Sequence, residues 1–208
     1  MIFWITRMMK MKLMNKAYWE RRYIEGSDFW NAKGITTPIK EYLNQLTDKH
    51  IRILIPGLGH GYELMYLKEQ GFANVVGLDL TDLAARETLE KFPLFPIDEV
   101  VLGDFFQHEG QYDLILEHTF FCSLPIALRP KYVAKMKELL AVNGRLVGVL
   151  FDCEFDSVDP PFGGSLSEYK KLFCVSDLNI EILEPCYNSI KPRKDREVFI
   201  KIVKQQHD

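Results

Sequence analysis

The chain has 208 residues, 47% hydrophobic and 26% charged, with 26 Lys and Arg against 29 Asp and Glu and a formal net charge of −3. That length supports one ordinary domain with a full core. The slight acidity leaves no basic surplus to hold a polyanion, which argues against a nucleic-acid partner.

The start, MIFWITRMMKMKLMNK, offers only five apolar residues before Arg7, too few for a signal-peptide core or a membrane span. Residues 1–14 are expected to be a disordered extension, with Met8, Met9, Met11 and Met14 as alternative starts, and residues 15–208 a single domain. Two helices come first, Lys16 to Tyr23 and Pro38 to Leu46, the second with Thr37 as its N-cap and Pro38 at its first position. From Ile51 onward short apolar runs alternate with helical patterns, the signature of βαβ units. The runs IRILI (51–55), NVVGL (74–78), DEVVL (98–102), YDLIL (112–116) and GRLVGVLF (144–151) are expected as parallel strands, closed by IEILE (180–184) and EVFIKIV (197–203). The clearest helix runs from about Leu128 to Leu140, where Leu128, Tyr132, Val133, Met136, Leu139 and Leu140 recur at helical spacing and Asn143-Gly144 supplies a stop. The expected fold is α/β: a Rossmann-like, doubly wound, seven-stranded and mostly parallel sheet, with helices on both faces and an N-terminal helical lid.

Cys122, Cys153, Cys174 and Cys186 form no CxxC pair and have no His at zinc-ligand spacing. They read as reduced thiols in a cytosolic protein, with no metal site.

The chemistry concentrates at strand ends. ILIPGLGHGYE (53–63) breaks from a strand into Gly57, Gly59 and Gly61 before a helical pattern begins at Tyr62. Such a loop turns sharply and brings backbone N–H groups against a ligand. Asp79 ends VVGLD 20 residues after Gly59 and is placed to take ribose hydroxyls. In VVLGDFF (100–106), Asp104 and the pair Phe105 and Phe106 add hydrogen bonding and stacking for an adenine, although adjacent strand residues face opposite ways and one Phe is expected in the core. The loop alone is shared by binders of NAD, FAD and S-adenosylmethionine. Together the three places cover three edges of one adenosine.

These motifs, with WERRYIEGSDFW (19–30), TTPIKEYL (36–43), YDLILEHTFFCSLPIALRPKYV (112–133) and DPPFGGSLSEYKKLF (159–173), resemble class I S-adenosylmethionine-dependent methyltransferases. The resemblance is to the branch holding thiopurine S-methyltransferase and the plant and bacterial thiol and halide methyltransferases, and it runs from about Trp19 to Phe173. It implies a cofactor across the carboxyl ends of strands one to four, with the N-terminal segment folded over it. By this resemblance Trp30 lies near the cofactor, Asp79 holds the ribose, and Asp104 and Phe105 surround the adenine. Trp19, Gly57, Gly59, Gly61, Leu80 and Glu117 complete the expected cofactor contacts, Glu117 toward the methionine part. Two departures stand out: Leu58 where many members have Cys, and Glu117-His118 where thiopurine enzymes carry Asp-Arg. HTFFCSL is closer to the thiol and halide branch.

Methyl transfer from a sulfonium is an in-line displacement, and soft anions need chiefly alignment and desolvation. An aromatic pocket does both and favours the sulfonium by cation–π contact. Trp30, Phe120, Phe121 and Phe162 are the candidates. His118 is placed to accept a thiol proton or bond the acceptor, and Arg129, with Arg193 or Arg196, to bind an anionic one. DPPF (159–162) follows strand five, not strand four where base-methylating enzymes carry such a motif, and reads as a stiff loop at the pocket rim. The expected activity is methyl transfer from S-adenosylmethionine to a small thiol, hydrosulfide or halide, in a cytoplasmic monomer or weak dimer. Three alternatives stay open: a thiopurine S-methyltransferase, a nicotinamide-dependent oxidoreductase, and a non-catalytic S-adenosylmethionine-binding protein.

Overall fold

The structure, a computed structural model, describes residues 14–175 and 177–206. The expected disordered extension therefore lies almost wholly outside the described residues. In chain order the elements are α1 (Lys16–Ile24), α2 (Thr37–Asn44), β1 (Arg52–Pro56), α3 (Tyr62–Glu69), β2 (Asn74–Asp79), α4 (Leu83–Lys91), β3 (Val100–Leu102), β4 (Tyr112–His118), α5 (Arg129–Leu139), β5 (Leu140–Phe151), α6 (Leu166–Phe173), β6 (Leu178–Pro185) and β7 (Glu197–Lys204).

The strands form one sheet in the order β3-β2-β1-β4-β5-β7-β6. Neighbours from β3 through β5 run parallel, while β7 runs antiparallel to both β5 and β6. The sheet carries two apolar faces because strand side chains alternate. Ile53, Ile55, Leu114 and Leu116 pack with Ile39, Leu43, Leu64 and Leu67 from α2 and α3. Leu54 and Ile115 point the other way, into a cluster with Tyr132, Val133, Met136 and Leu139 of α5 and Tyr169 and Phe173 of α6. The expected helix stripe, less Leu128, lies in this second cluster.

Three boundaries differ from expectation. The cap of α2 is Thr36, one residue earlier than expected, and its side chain makes no cap hydrogen bond. Instead Thr36 Oγ1 lies 3.4 Å from His118 Nε2. Asn143-Gly144 does not stop α5, because the chain passes directly into β5 at Leu140. Asn143 adopts φ 62° where the β4–β5 register shifts, so the pair makes a bulge inside the strand. β3 is shorter than DEVVL, since Ile97–Glu99 close a 3-10 turn before it.

β1 is flanked by β2 on one side and β4 on the other, so successive connections depart in opposite directions at that point. Open α/β sheets leave a crevice outside the carboxyl ends of the strands at such a switch. The loops after β1, β2, β3 and β4 all reach one cavity there.

Candidate cofactor and acceptor site

The cavity measures about 400 Å³. Gly57 and Gly59 enter from the β1 loop, Asp79 and Leu80 from the end of β2, and Gly103 to Phe106 from the end of β3. β4 and its loop add His118, Thr119, Phe120 and Cys122. The N-terminal segment supplies Trp19 and Tyr23 of α1 and then Trp30, and the loop after β5 adds Pro160 and Pro161.

The glycine loop takes its shape from close packing. Gly57 has φ +65°, and a Cβ there would meet the Phe120 ring at 2.5 Å, so only glycine lets the β4 loop close on the β1 loop. Gly59 N–H donates to Asp79 Oδ2 at 2.9 Å, and Thr81 N–H donates to Oδ1 at 3.1 Å. Burial pushes the Asp79 carboxyl up, against the hydrogen bonds from Gly59, Thr81 and Leu80. Asp104 caps the short turn after β3 by accepting from Phe106 N–H at 2.9 Å, and Phe105 is buried edge-on to Phe120. Trp30 is packed edge to face against Trp19 and Tyr23, with centroids 5.5 and 5.6 Å away.

The loop after β4 is strained and pinned. Thr119 holds φ +65°, a conformation a β-branched residue adopts at a cost of about 1–3 kcal/mol. Glu117, fully buried, fixes the turn that follows: Oε1 accepts from Phe120 N–H at 2.9 Å and Phe121 N–H at 2.8 Å, and Oε2 from Tyr132 O–H at 2.6 Å. Burial pushes its carboxyl up to about 7 against those three donors.

At the other end of the cavity His118 lies between two buried charges. Its Nδ1 is 2.8 Å from Glu63 Oε1, and its Nε2 is 3.0 Å from Arg193 Nη1. Arg193 also donates to Trp30 O at 2.7 Å and lies 3.5 Å from Glu197. Burial works to raise the Glu63 carboxyl, but the attraction of His118 and its hydrogen bond hold it below the usual range. A second pair joins the glycine loop to the N-terminal segment, His60 Nε2 to Asp28 Oδ2 at 2.8 Å. There burial opposes, and the hydrogen bonds from His60 and Asn31 outweigh it, so Asp28 is lowered.

Of the residues singled out from the sequence, Trp19, Trp30, Gly57, Gly59, Asp79, Leu80, Asp104, Phe105, His118 and Phe120 meet on the cavity wall. Several do not. Phe121 is 1% exposed and packs against Tyr132, Tyr169 and Phe173 in the core. Arg129 lies over the Phe121 ring and clamps the carbonyls of Phe162 and Gly163, which ties its guanidinium to the loop after β5. Glu117 is held by its three donors and does not line the cavity. Gly61 caps α3 with φ 71° under the Phe95 ring, and neither it nor Phe162 reaches the wall. Arg193 is buried behind His118, and Arg196 stacks on Phe155. Tyr23, Glu63 and the His60–Asp28 pair were not foreseen. Glu63 reads locally as an acid in the first turn of a helix, and its partner lies 55 residues on.

The wall suits an adenosyl group, with a half-buried carboxylate at the end of β2, an acid and aromatic step after β3, and bare backbone at the glycine turn. Residues 14–206 match the family model described as thiopurine S-methyltransferase. The chain belongs to that family. It is an S-adenosylmethionine-dependent S-methyltransferase. Among relatives, it is 31% identical over 187 residues to a probable thiol methyltransferase 2 of Arabidopsis thaliana, covering 86% of this chain and 81% of that one. It is 28% identical to thiocyanate methyltransferase 1 of Brassica oleracea (86% and 81% covered) and 24% to the thiopurine S-methyltransferase of Vibrio parahaemolyticus (81% and 88%). The methyltransferase shares its fold with the 1,6-didemethyltoxoflavin-N1-methyltransferase of Burkholderia thailandensis, solved with S-adenosylhomocysteine, at TM-score 0.73 and 16% identity over 92% of this chain and 87% of that one. A TehB-like methyltransferase of Corynebacterium glutamicum superposes at TM-score 0.62, with 19% identity and 89% and 97% covered.

Proposed function

We propose that this methyltransferase acts on a small, soft sulfur or halide nucleophile. The observation that carries the reading is the size of the cavity. At about 400 Å³ it lies near the lower end of the roughly 300–1,000 Å³ range of pockets that hold a single small ligand. An adenosyl amino acid fills most of that, and what is left suits an acceptor of a few atoms better than a second bicyclic ring. The names of the thiol and thiocyanate relatives support the same acceptor class.

In this reading Asp79 takes the ribose hydroxyls, Asp104 and Phe105 take the adenine, and the Gly57–Gly59 turn lets the backbone approach the amino-acid part. When bound, the cofactor supplies a methyl group activated on a sulfonium. The chain then aligns and desolvates. Trp19, Trp30 and Phe120 offer ring faces for a sulfonium, about 0.5–2 kcal/mol per well-placed ring, and Trp30 with Pro160 and Pro161 excludes water. A reducing, cytoplasmic location goes with this reading, because the four cysteines lie unjoined across the fold. So does a monomer or weak dimer acting without nucleic acid.

Hydrosulfide, iodide, thiocyanate and 6-mercaptopurine assayed side by side with the same cofactor test the acceptor class. The expected result is kcat/KM for at least one small anion exceeding that for the purine by tenfold or more, on the order of 1.4 kcal/mol in transition-state binding. Turnover of the purine alone would contradict it.

A further inference from the structure

We propose that His118 is a positioning residue and not the general base, so that the site methylates only acceptors that reach it already ionised. The inference rests on the small-anion reading and adds a rule of selectivity to it.

Both ring nitrogens of His118 are engaged, Nδ1 with Glu63 and Nε2 with Arg193. A guanidinium only donates and keeps its proton in a protein. Nε2 is therefore the acceptor, and the single imidazole proton sits on Nδ1, donated to Glu63. The charged neighbours pull in opposite directions: Glu63 favours a second proton on the ring, and Arg193, in contact with Nε2, opposes it. Glu63 approaches from α3, Arg193 from the turn ahead of β7, and Glu197 of β7 lies 3.5 Å from the same Arg193 Nη1 that meets the ring. Glu117 precedes His118 on β4, with its oxygens occupied by Phe120, Phe121 and Tyr132. Thr36 Oγ1, 3.4 Å from Nε2, adds a further polar contact at α2. Taking a proton at Nε2 would set an N–H against the N–H of a buried guanidinium that Trp30 O also holds in place. That contact would set two cations side by side, with Glu63 and Glu197 as their counter-charges, and would leave both N–H groups without an acceptor at Nε2.

Among the described residues no other group on the wall replaces His118 as a base for the acceptor. Asp79 and Asp104 serve the nucleoside end, and His60, also on the wall, sits in the glycine loop with its Nε2 held by Asp28 and its ring stacked on Tyr62. Cys122 donates to Thr119 O, and burial raises its thiol. Glu63 is taken by the imidazole. A thiol acceptor thus loses its proton to bulk water before entry. Its sulfur lone pair then forms the new bond to carbon as the old carbon–sulfur bond breaks, and that pair stays on the departing sulfur. The Glu63–His118–Arg193 chain fixes Trp30 and the wall around this event.

The protein labelled with nitrogen-15 histidine tests the tautomer directly, with His118→Gln identifying the resonances. Near neutral pH the expected state is a protonated Nδ1 and a bare Nε2. A proton on Nε2, or an imidazolium, would overturn the proposal. The second arm compares iodide, which needs no base, with hydrosulfide in wild type, His118→Ala and His118→Gln. Glutamine offers one donor and one acceptor but takes no proton. A positioning role predicts that His118→Ala lowers kcat/KM for both acceptors by the same factor, about 10- to 100-fold, and that His118→Gln restores both. It also predicts a wild-type pH profile for hydrosulfide that follows the acceptor's own ionisation, beside a flat one for iodide. Loss of hydrosulfide turnover alone, unrescued by glutamine, would make His118 a base and sink the proposal. If wild type methylates only the purine, the small-anion reading fails while the resonances still decide the tautomer.

Discussion

Asp79 does two tasks with one carboxylate. Its oxygens hold the glycine loop through Gly59 N–H and start the next turn through Thr81 N–H, and it lines the cavity where the proposed reading sets the ribose. Hydrogen bonds to a charged group are worth about 1.5–3 kcal/mol net. Asp79→Ala is accordingly expected to weaken S-adenosylmethionine binding on the order of 10- to 150-fold in titration calorimetry, with Asp79→Asn in between. Unchanged affinity would remove Asp79 from the site. This residue was legible because its spacing from Gly59 is a local property of one βαβ unit. Phe121 was not. Strand alternation would have set Phe120 and Phe121 on opposite faces, but Thr119 at φ +65° and the short turn after it choose which ring meets the cavity. Nothing in the residue types encodes that choice. Glu63 escaped notice for a different reason, since its meaning depends on a histidine that arrives from another strand.

The turn after β4 shows how an element holds strain beside a site. Three donors converge on Glu117, and the loop they fix carries Thr119, Phe120 and Cys122 on the wall. Burial raises this carboxyl from its ordinary 4.5 to about 7, so between those values the folded protein binds more protons than the unfolded chain. The stability this confers is complete below about 4.5 and is lost as pH climbs through about 7. Glu117→Gln keeps an acceptor for the two N–H groups and removes the titration. Urea denaturation is expected to show the variant gaining on wild type by about 2–3 kcal/mol between about pH 5 and about pH 8. Parallel pH profiles would mean that Glu117 titrates normally. Elements themselves were largely legible, because period-two and helical patterns follow from which side faces the core. Ends were harder. Asn143-Gly144 is an equally good signal for a helix stop and for a bulge, and the register of β5 against β4 decides between them. Thr36 and Thr37 are both good caps by type, and Thr36 takes the place while its hydroxyl turns toward His118.

For the molecule as a whole, strand order creates the site. With β1 between β2 and β4, four loops converge on one crevice, and the N-terminal segment reaches it through Trp19, Tyr23 and Trp30. The alternation of strands and helices made the parallel sheet readable from the sequence. The pairing of Asp28 with His60 and of Arg193 with Trp30 O was not readable, because each joins distant segments through single contacts. The measurement that tests the account most directly is the crystal structure of the complex with S-adenosylhomocysteine. The account predicts the ribose on Asp79, the adenine between Asp104 and Phe105, and the sulfur facing the end of the cavity bounded by His118 and Trp30. A nucleoside bound elsewhere, or reversed so that its base meets His118, would contradict it.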